Sequence, residues 1–432
     1  MAQYLVTGGT PLRGHVSISG NKNSVLKLMA ASLLADNPTT LHNCPIIGDV
    51  EVMAEILTSL GAKVTGVGSR SLSIDPANLK QYSVSGNLST QLRASIVLLA
   101  PLLARFGKVN LGFPGGDTIG KRGVGTHFQI LEALGAKFTS KGTIITGKIT
   151  SSSPLTHVFL DEASVTATEN GLMFAACLPQ TTIIENAACE PHIIDLGHLL
   201  VKMGAQIAGL GTNTIAITGT KHLKGSSFTI GADYIDAGTF AIAAAVTGGQ
   251  ITISPLSQPD MRMILLYLSR FGVKYSWPKS DTLKILPAKL KVDPEQFGIK
   301  PKFQTRPWPG FPTDLMSPLI VLATQTRGTV LLHDWMYETR MYFTDRLSQM
   351  GANITLCDPH RAIVTGPTPL YGRHLPSPDI RAGMSLLIAS LVAQGHSEID
   401  HTEIIERGYE DPVGRFKSLG VKITRVSTRH EI

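Results

Sequence analysis

Six times along the chain an amphipathic run with apolar residues three and four apart ends in a glycine, and an alternating apolar and polar segment follows at once. The six phrases are LTSLGAKV ending at Val64, LEALGAKF at Phe138, VKMGAQI at Ile207, LSRFGVKY at Tyr275, LSQMGANI at Ile354 and FKSLGVKI at Ile423. The first period is that of a helix with one buried face, the second that of a strand. Glycine between them suits a left-handed residue just past the helix end, a conformation that costs it nothing sterically. The six glycines (Gly61, Gly135, Gly204, Gly272, Gly351 and Gly420) stand 68 to 79 residues apart. The chain therefore reads as six repeats of one supersecondary unit.

Each repeat also contains a run that is apolar on nearly every side: LKLMAASLLA from Leu26, ASIVLLAPLLA from Ala94, LMFAAC from Leu172, TFAIAAAV from Thr239, LMSPLIVLAT from Leu315 and MSLLIASLVA from Met384. A helix without a polar face has to be covered all round, so these runs predict central helices wrapped by the rest of their domain. Segments such as KVNLGF, TTIIEN, QITIS and TVLLHD predict strands after them, and TIITG, TIAITG and AIVTG predict closing strands. The last repeat ends before its closing strand, whereas YLVTGG at Tyr4 to Gly9 matches such strands. Residues 1 to about 21 are therefore expected to complete the sixth repeat. The resulting division is one three-unit domain over residues 22–231 and a second over 1–21 plus 232–432, within an α/β fold.

Composition narrows the function. With 432 residues, 43% hydrophobic and 16% charged, the chain is neither disordered nor fibrous. No apolar run is long enough to span a bilayer and residues 1–20 lack a signal-peptide pattern, so no membrane insertion and a cytoplasmic location are expected. The formal charge of +7 comes from scattered bases without interleaved aromatics, which argues against nucleic acid as a partner. Cys44, Cys177, Cys189 and Cys357 have no metal-ligand spacing and read as buried thiols rather than a disulfide or zinc framework.

Short polar clusters precede the buried helices: SGNKNS from Ser19, STQLRAS from Ser89, ASVTATEN from Ala163, GADYIDAGT from Gly231, FPTDLMS from Phe311 and SPDIRAG from Ser377. Ser19, Ser164 and Thr313 are natural N-caps there. Lys22, Arg93 and Arg381 lie at the same ends, where a cation opposes the helix dipole, so an anionic ligand is expected. The segment Gly112 to His127 holds six glycines with Asp117, Lys121 and Arg122, the composition of a mobile loop that carries charge over a site. Its glycine spacing fits neither a dinucleotide turn nor a P-loop. Glu338, Arg340, Glu406, Arg407 and Glu410 form a further charged set after strands, for which exposed ion pairs are a sufficient reading.

Together SGNKN at Ser19, RASIVLLAPLLARFG at Arg93, FPGG at Phe113, ENAACEPHIIDL at Glu185, AGTF at Ala237, GFPTDL at Gly310, YETR at Tyr337 and ERGYE at Glu406 resemble the enolpyruvyl transferase family, over essentially the whole chain. The likeness is strongest to members that act on UDP-N-acetylglucosamine. The N-A-G-T-A segment usual in the shikimate 3-phosphate branch is replaced by NLSTQLRAS at Asn87 to Ser95. The resemblance implies two inside-out, barrel-like α/β domains, each with pseudo-threefold symmetry. It implies a monomer that needs no cofactor or metal and takes phosphoenolpyruvate and UDP-N-acetylglucosamine as its small-molecule substrates. A paralogue acting on another sugar nucleotide, or a silent sugar-nucleotide binder, is the alternative.

Carried over by position, the resemblance places Lys22, Arg122 and Arg407 around phosphoenolpyruvate, with Asn23 beside them and Arg93 and Arg381 adding positive field. Asp314 takes the part of proton acceptor for the sugar hydroxyl. Arg122, Gly123, Val124, Gly125 and Thr126, with Ser164, Val165 and Thr166, face the nucleotide, and Met336 faces the uracil. Three departures fall on the nucleotide side: Gly125 stands where the family carries a carboxylate, Thr166 where it carries glycine, and Cys189 where it often has Arg or Lys. Asp117 occupies the position of the loop residue that protonates C3, commonly cysteine. The epoxide fosfomycin, which alkylates that cysteine, is therefore expected to leave this chain unmodified. Intact-mass spectrometry showing a covalent adduct on the peptide containing Asp117 would contradict this.

Overall fold

In the computed structural model the described residues are 2–116, 119–120, 122–150, 155–292 and 301–427. All six glycines of the repeated phrase lie at positive φ, from 84° at Gly272 to 120° at Gly204. Each closes an amphipathic helix and starts a strand: Gly48–Ser59, Gly125–Ala133, Pro191–Met203, Gln258–Arg270, Thr344–Gln349 and Pro412–Ser418 are the six helices. Among the described residues the strands assemble into six four-stranded sheets with one pairing rule. An edge strand runs parallel to its neighbour and the other two pairings are antiparallel, as in Ser227–Thr229, Thr39–His42, Ser71–Asp75 and Lys63–Thr65.

The chain separates into two compact units, one of Ser19–Asp117 with Arg122–Gly231 and one of Met1–Ile18, Thr118–Lys121 and Ala232–Ile432. Each has its own apolar core. Ala2–Thr7 is the third strand of the sixth sheet, between His396–Asp400 and Lys422–Ser427. Arg13–Ser17 goes elsewhere. It pairs in parallel with Gln250–Ser254 and so opens the fourth sheet, which the repeat pattern did not indicate. Ser227–Thr229 makes the equivalent connection to Thr39–His42. At both passages the edge strand stays with the unit it belongs to, and the following helix enters the other.

The six apolar runs are buried helices: Lys22–Ala31, Leu99–Phe106 and Val165–Ala175 in one unit, Tyr234–Val246, Met316–Thr324 and Ile380–Val392 in the other. Every residue from Tyr234 to Ala245 is buried. Each fully covered Leu, Ile or Phe contributes roughly 1.5–3 kcal/mol by leaving water. Two of the runs do not begin as α-helix. Arg93–Leu98 and Thr313–Leu315 are 3-10 turns that lead into Leu99–Phe106 and Met316–Thr324. Pro101 and Pro318 explain both, because proline fits the first α-turn but clashes with a carbonyl four residues earlier.

Side-chain caps differ from those expected. Asn21, Asp233 and Asp379 each accept two first-turn N–H bonds, whereas Ser164 makes no side-chain cap bond and Thr313 donates to Asp334. The thiols also differ in part: Cys44 is buried, Cys177 and Cys189 are half-buried, and Cys357 is exposed. No helix among the described residues is long and apolar enough to cross a membrane.

A Cβ on Gly204 would meet Thr220 at an ordinary 3.7 Å, while one on Gly61 would come within 2.4 Å of the Asn78 carbonyl oxygen. Gly204→Ala is therefore expected to cost about 1–2 kcal/mol of backbone strain, and Gly61→Ala more. Thermal unfolding midpoints should fall in that order, and equal midpoints would contradict the assignment.

Candidate active site

Lys22 opens the buried helix Lys22–Ala31, whose end Asn21 caps. Its charge is matched by Asp49 in the first turn of Gly48–Ser59, with Nζ 2.9 Å from Oδ2 and both side chains almost fully enclosed. Removing one partner of such a pair strands the other and costs about 3–5 kcal/mol. Asn23 is half-buried on the same turn. Ser24 Oγ donates to Asp195 Oδ2 at 2.6 Å, and the Gly231 N–H reaches the same oxygen at 3.3 Å.

Arg93 uses its guanidinium as a clamp. It donates to the carbonyls of Pro114 at 3.3 Å, Arg122 at 2.8 Å and Gly123 at 3.0 Å, joining the entry and exit of the glycine-rich segment. Gly115 and Gly116 add main-chain bonds to Ser89 and Thr90. A Cβ on Gly115 would sit 1.8 Å from the Thr90 carbonyl oxygen, so the close approach requires glycine. Gly125 differs, because a Cβ there meets nothing within 4 Å. Thr126 donates to Asp161 at 3.0 Å.

His127, from the same segment, is buried between Asn170 at 2.8 Å and Thr166 at 3.1 Å. Burial first, and the Arg93 charge second, push its pKa down to about 3, so the ring is neutral at physiological pH. Ser164, Val165 and Thr166 form the first turn of Val165–Ala175 and are half-buried.

In the other unit Asp314 lies between two arginines. Its Oδ1 is 3.3 Å from Arg340 Nη2 and its Oδ2 is 2.9 Å from Arg381 Nη2. Both guanidinium groups are buried. Burial opposes their charge, but Asp314 and Asp334 beside Arg340, and Tyr409, Asp314 and Asp233 beside Arg381, outweigh it and raise both pKa values. The Arg381 guanidinium also sits 5.0 Å from the Tyr409 ring centre. Asp334 is fully buried, lies 3.6 Å from Arg340 Nε, and accepts bonds from Thr305, Thr313 and the Met336 N–H. Met336 is thereby fixed through its backbone and is half-buried.

Arg407 is half-buried and directly follows the helix Thr402–Glu406. Glu406 holds that helix by accepting from Tyr4 Oη at 2.9 Å and from the Arg425 fork at 2.7 and 3.2 Å. Asp117 lies outside the described residues. The structure thus brings Arg93 together with Arg122 and Gly123, and Asp314 together with Arg381; Lys22, Asn23, Val124–Thr126 and Ser164–Thr166 belong to the same unit as Arg93, and Met336 and Arg407 to the same unit as Asp314.

Asp49, Asp334, Tyr409, Asn170 and His127 were missed by sequence reasoning, and Arg340 was read as an exposed ion-pair member although only 2% of it is exposed. The YETR motif was the one local signal for Arg340. Among the described residues no group of three or more His, Cys, Asp or Glu side chains is placed to hold a metal.

The depressed His127 pKa has a signed consequence. The unfolded chain takes up a proton near pH 6.5 that the native ring refuses until about pH 3, so this contribution to stability is complete above pH 6.5 and is lost as pH falls toward 3. Ring 15N shifts should stay those of the neutral form down to pH 4. Imidazolium shifts at pH 6 would contradict the burial argument.

Comparison with known proteins bears on this arrangement. A family profile described as EPSP synthase (3-phosphoshikimate 1-carboxyvinyltransferase) matches residues 6–415. Proteins named UDP-N-acetylglucosamine 1-carboxyvinyltransferase are 45% identical in Borrelia garinii subsp. bavariensis, over 99% of this chain and 100% of that one, and 44% identical in Treponema denticola, over 98% and 99%. Among solved structures, the enolpyruvyl transferase NikO from Streptomyces tendae superimposes with a TM-score of 0.86 over 99% of both chains at 22% identity. EPSP synthase from Acinetobacter baumannii does so with 0.72 over 99% and 100% at 16% identity, and at these identities both likenesses speak to the fold. The chain belongs to the EPSP synthase family of enolpyruvyl transferases.

Proposed function

We propose that the chain transfers the enolpyruvyl group of phosphoenolpyruvate to the 3-hydroxyl of UDP-N-acetylglucosamine and releases inorganic phosphate. The observation that carries this reading is the end-to-end relationship, at 39–45% identity, to proteins named for that activity. The enclosed cations Lys22, in one unit, and Arg381, in the other, support it, since a phosphate ester with a carboxylate calls for fixed positive charge. The reaction is the first committed step of peptidoglycan precursor synthesis, which goes with a cytoplasmic enzyme.

In this reading the sugar oxygen attacks C2 of phosphoenolpyruvate while C3 gains a proton, giving a tetrahedral ketal that still carries the phosphate. Loss of a proton from C3 then expels phosphate and restores the double bond. Lys22, Arg122 and Arg407 neutralise the phosphate and carboxylate, and Asn23 hydrogen-bonds beside Lys22. Asp314, its two oxygens aligned by Arg340 and Arg381, receives the hydroxyl proton. Arg93 holds the loop ends and adds positive field beside the substrates. Asp117 is the proton donor to C3, on the strength of its place in the sequence. Arg122–Thr126, Ser164–Thr166 and Met336 meet the nucleotide.

Incubation with both substrates should release one phosphate per enolpyruvyl ether formed. Lys22→Ala and Arg407→Ala should each lower kcat/KM for phosphoenolpyruvate by about 100-fold or more, roughly 3 kcal/mol of lost charge stabilisation. A panel of other sugar nucleotides should turn over more slowly. Phosphate release with none of them, or faster release with another sugar nucleotide, would contradict the assignment.

A further inference from the structure

The nucleotide side of the site contains a hydrogen-bond relay whose proton positions can be deduced. Ala100 N–H and the Ile96 carbonyl are the donor and acceptor of one α-helical bond, but the turn before Pro101 is 3-10 and leaves that bond unmade. The Asn170 amide, from the neighbouring helix, fills the gap. Its Oδ1 accepts from Ala100 N at 3.1 Å and its Nδ2 donates to Ile96 O at 3.1 Å. A backbone N–H can only donate and a carbonyl can only accept, so these two groups fix which end of the amide is nitrogen.

The second Nδ2 proton therefore points to His127 Nδ1, 2.8 Å away. Nδ1 must accept, so the neutral ring carries its proton on Nε2. Nε2 is 3.1 Å from Thr166 Oγ1, and that hydroxyl must accept from it. The hydroxyl's own proton is then committed to another acceptor, and among the described residues no hydrogen bond consumes it. Thr166 is half-buried in the first turn of a helix whose amides Ser164 does not cap, so backbone N–H donors lie beside the hydroxyl.

We infer that Thr166 is a specificity-determining residue whose hydroxyl, oriented by Asn170 through His127, donates to a phosphate oxygen of the bound nucleotide. The inference rests on the nucleotide reading above and names a group that reading left as an unexplained departure. His127 and Asn170 are positioning residues, since they act through Thr166. An anionic acceptor suits a hydroxyl proton presented at a helix start whose amides Ser164 does not cap, which favours a phosphate over a neutral ribose or base edge.

Isothermal titration of the full chain with UDP and with uridine tests this without turnover. Thr166→Val, which keeps the shape and removes the hydroxyl, should weaken UDP binding by about tenfold and leave uridine binding unchanged. Thr166→Ser should restore UDP affinity. With wild-type turnover established, Thr166→Val should raise KM for the sugar nucleotide and leave KM for phosphoenolpyruvate unmoved. Equal UDP affinity in wild type and Thr166→Val overturns the inference alone, as does an equal loss for UDP and uridine. A wild-type chain that binds neither ligand overturns the functional reading and this inference with it.

Discussion

A positive charge at the end of a buried helix has to be matched nearby, because the interior neither solvates it nor tolerates it alone. That constraint organises both units. Central helices that are apolar on all sides can present chemistry only at their ends, and Lys22 and Arg381 stand at two such ends. Each is answered by a carboxylate from another element of its own unit, Asp49 for Lys22 and Asp314 for Arg381. Both cations are thus held in fixed positions, which in the proposed function is what electrostatic catalysis asks of them. In the proposed function the same pairing sets a threshold, since a substrate anion at Lys22 competes with Asp49.

Arginine does two kinds of work here. Arg340 and Arg381 keep their charge in full burial and align both oxygens of Asp314. Arg93 spends three donors on loop carbonyls and turns a glycine-rich segment into one with a fixed base. The planar, five-donor guanidinium suits both tasks, and lysine would serve neither.

Much of the fold could be read from the sequence, because its signals are local. Glycine past a helix end and helices without a polar face follow from a few consecutive residues; all six glycines take the expected positive φ and all six apolar runs are buried, two of them entered through a 3-10 turn. Caps were less legible, since Asn21 and Ser19, or Asp379 and Ser377, are equally good residues two positions apart. The 3-10 turns before Pro101 and Pro318 were read as helix, although those prolines account for them. The destination of Arg13–Ser17 was not, because a short edge strand carries no mark of the partner it will find. At the site, the cations stood out as charges at buried helix starts. Asp49 and Asn170 were invisible because their partners lie far along the chain and only folding joins them, while Asp334 has Met336 and Arg340 close by in sequence but needs the fold to bring up Thr305 and Thr313.

The account turns on Lys22 sharing its ammonium between Asp49 and a substrate anion. A crystal structure of the chain with phosphoenolpyruvate and UDP-N-acetylglucosamine bound together tests this most directly. Lys22 Nζ is expected within hydrogen-bond distance of a phosphoenolpyruvate oxygen, with Asp49 still close enough to hold the ammonium in place. Phosphoenolpyruvate bound with Lys22 still turned wholly to Asp49, or pointing into solvent, would contradict it.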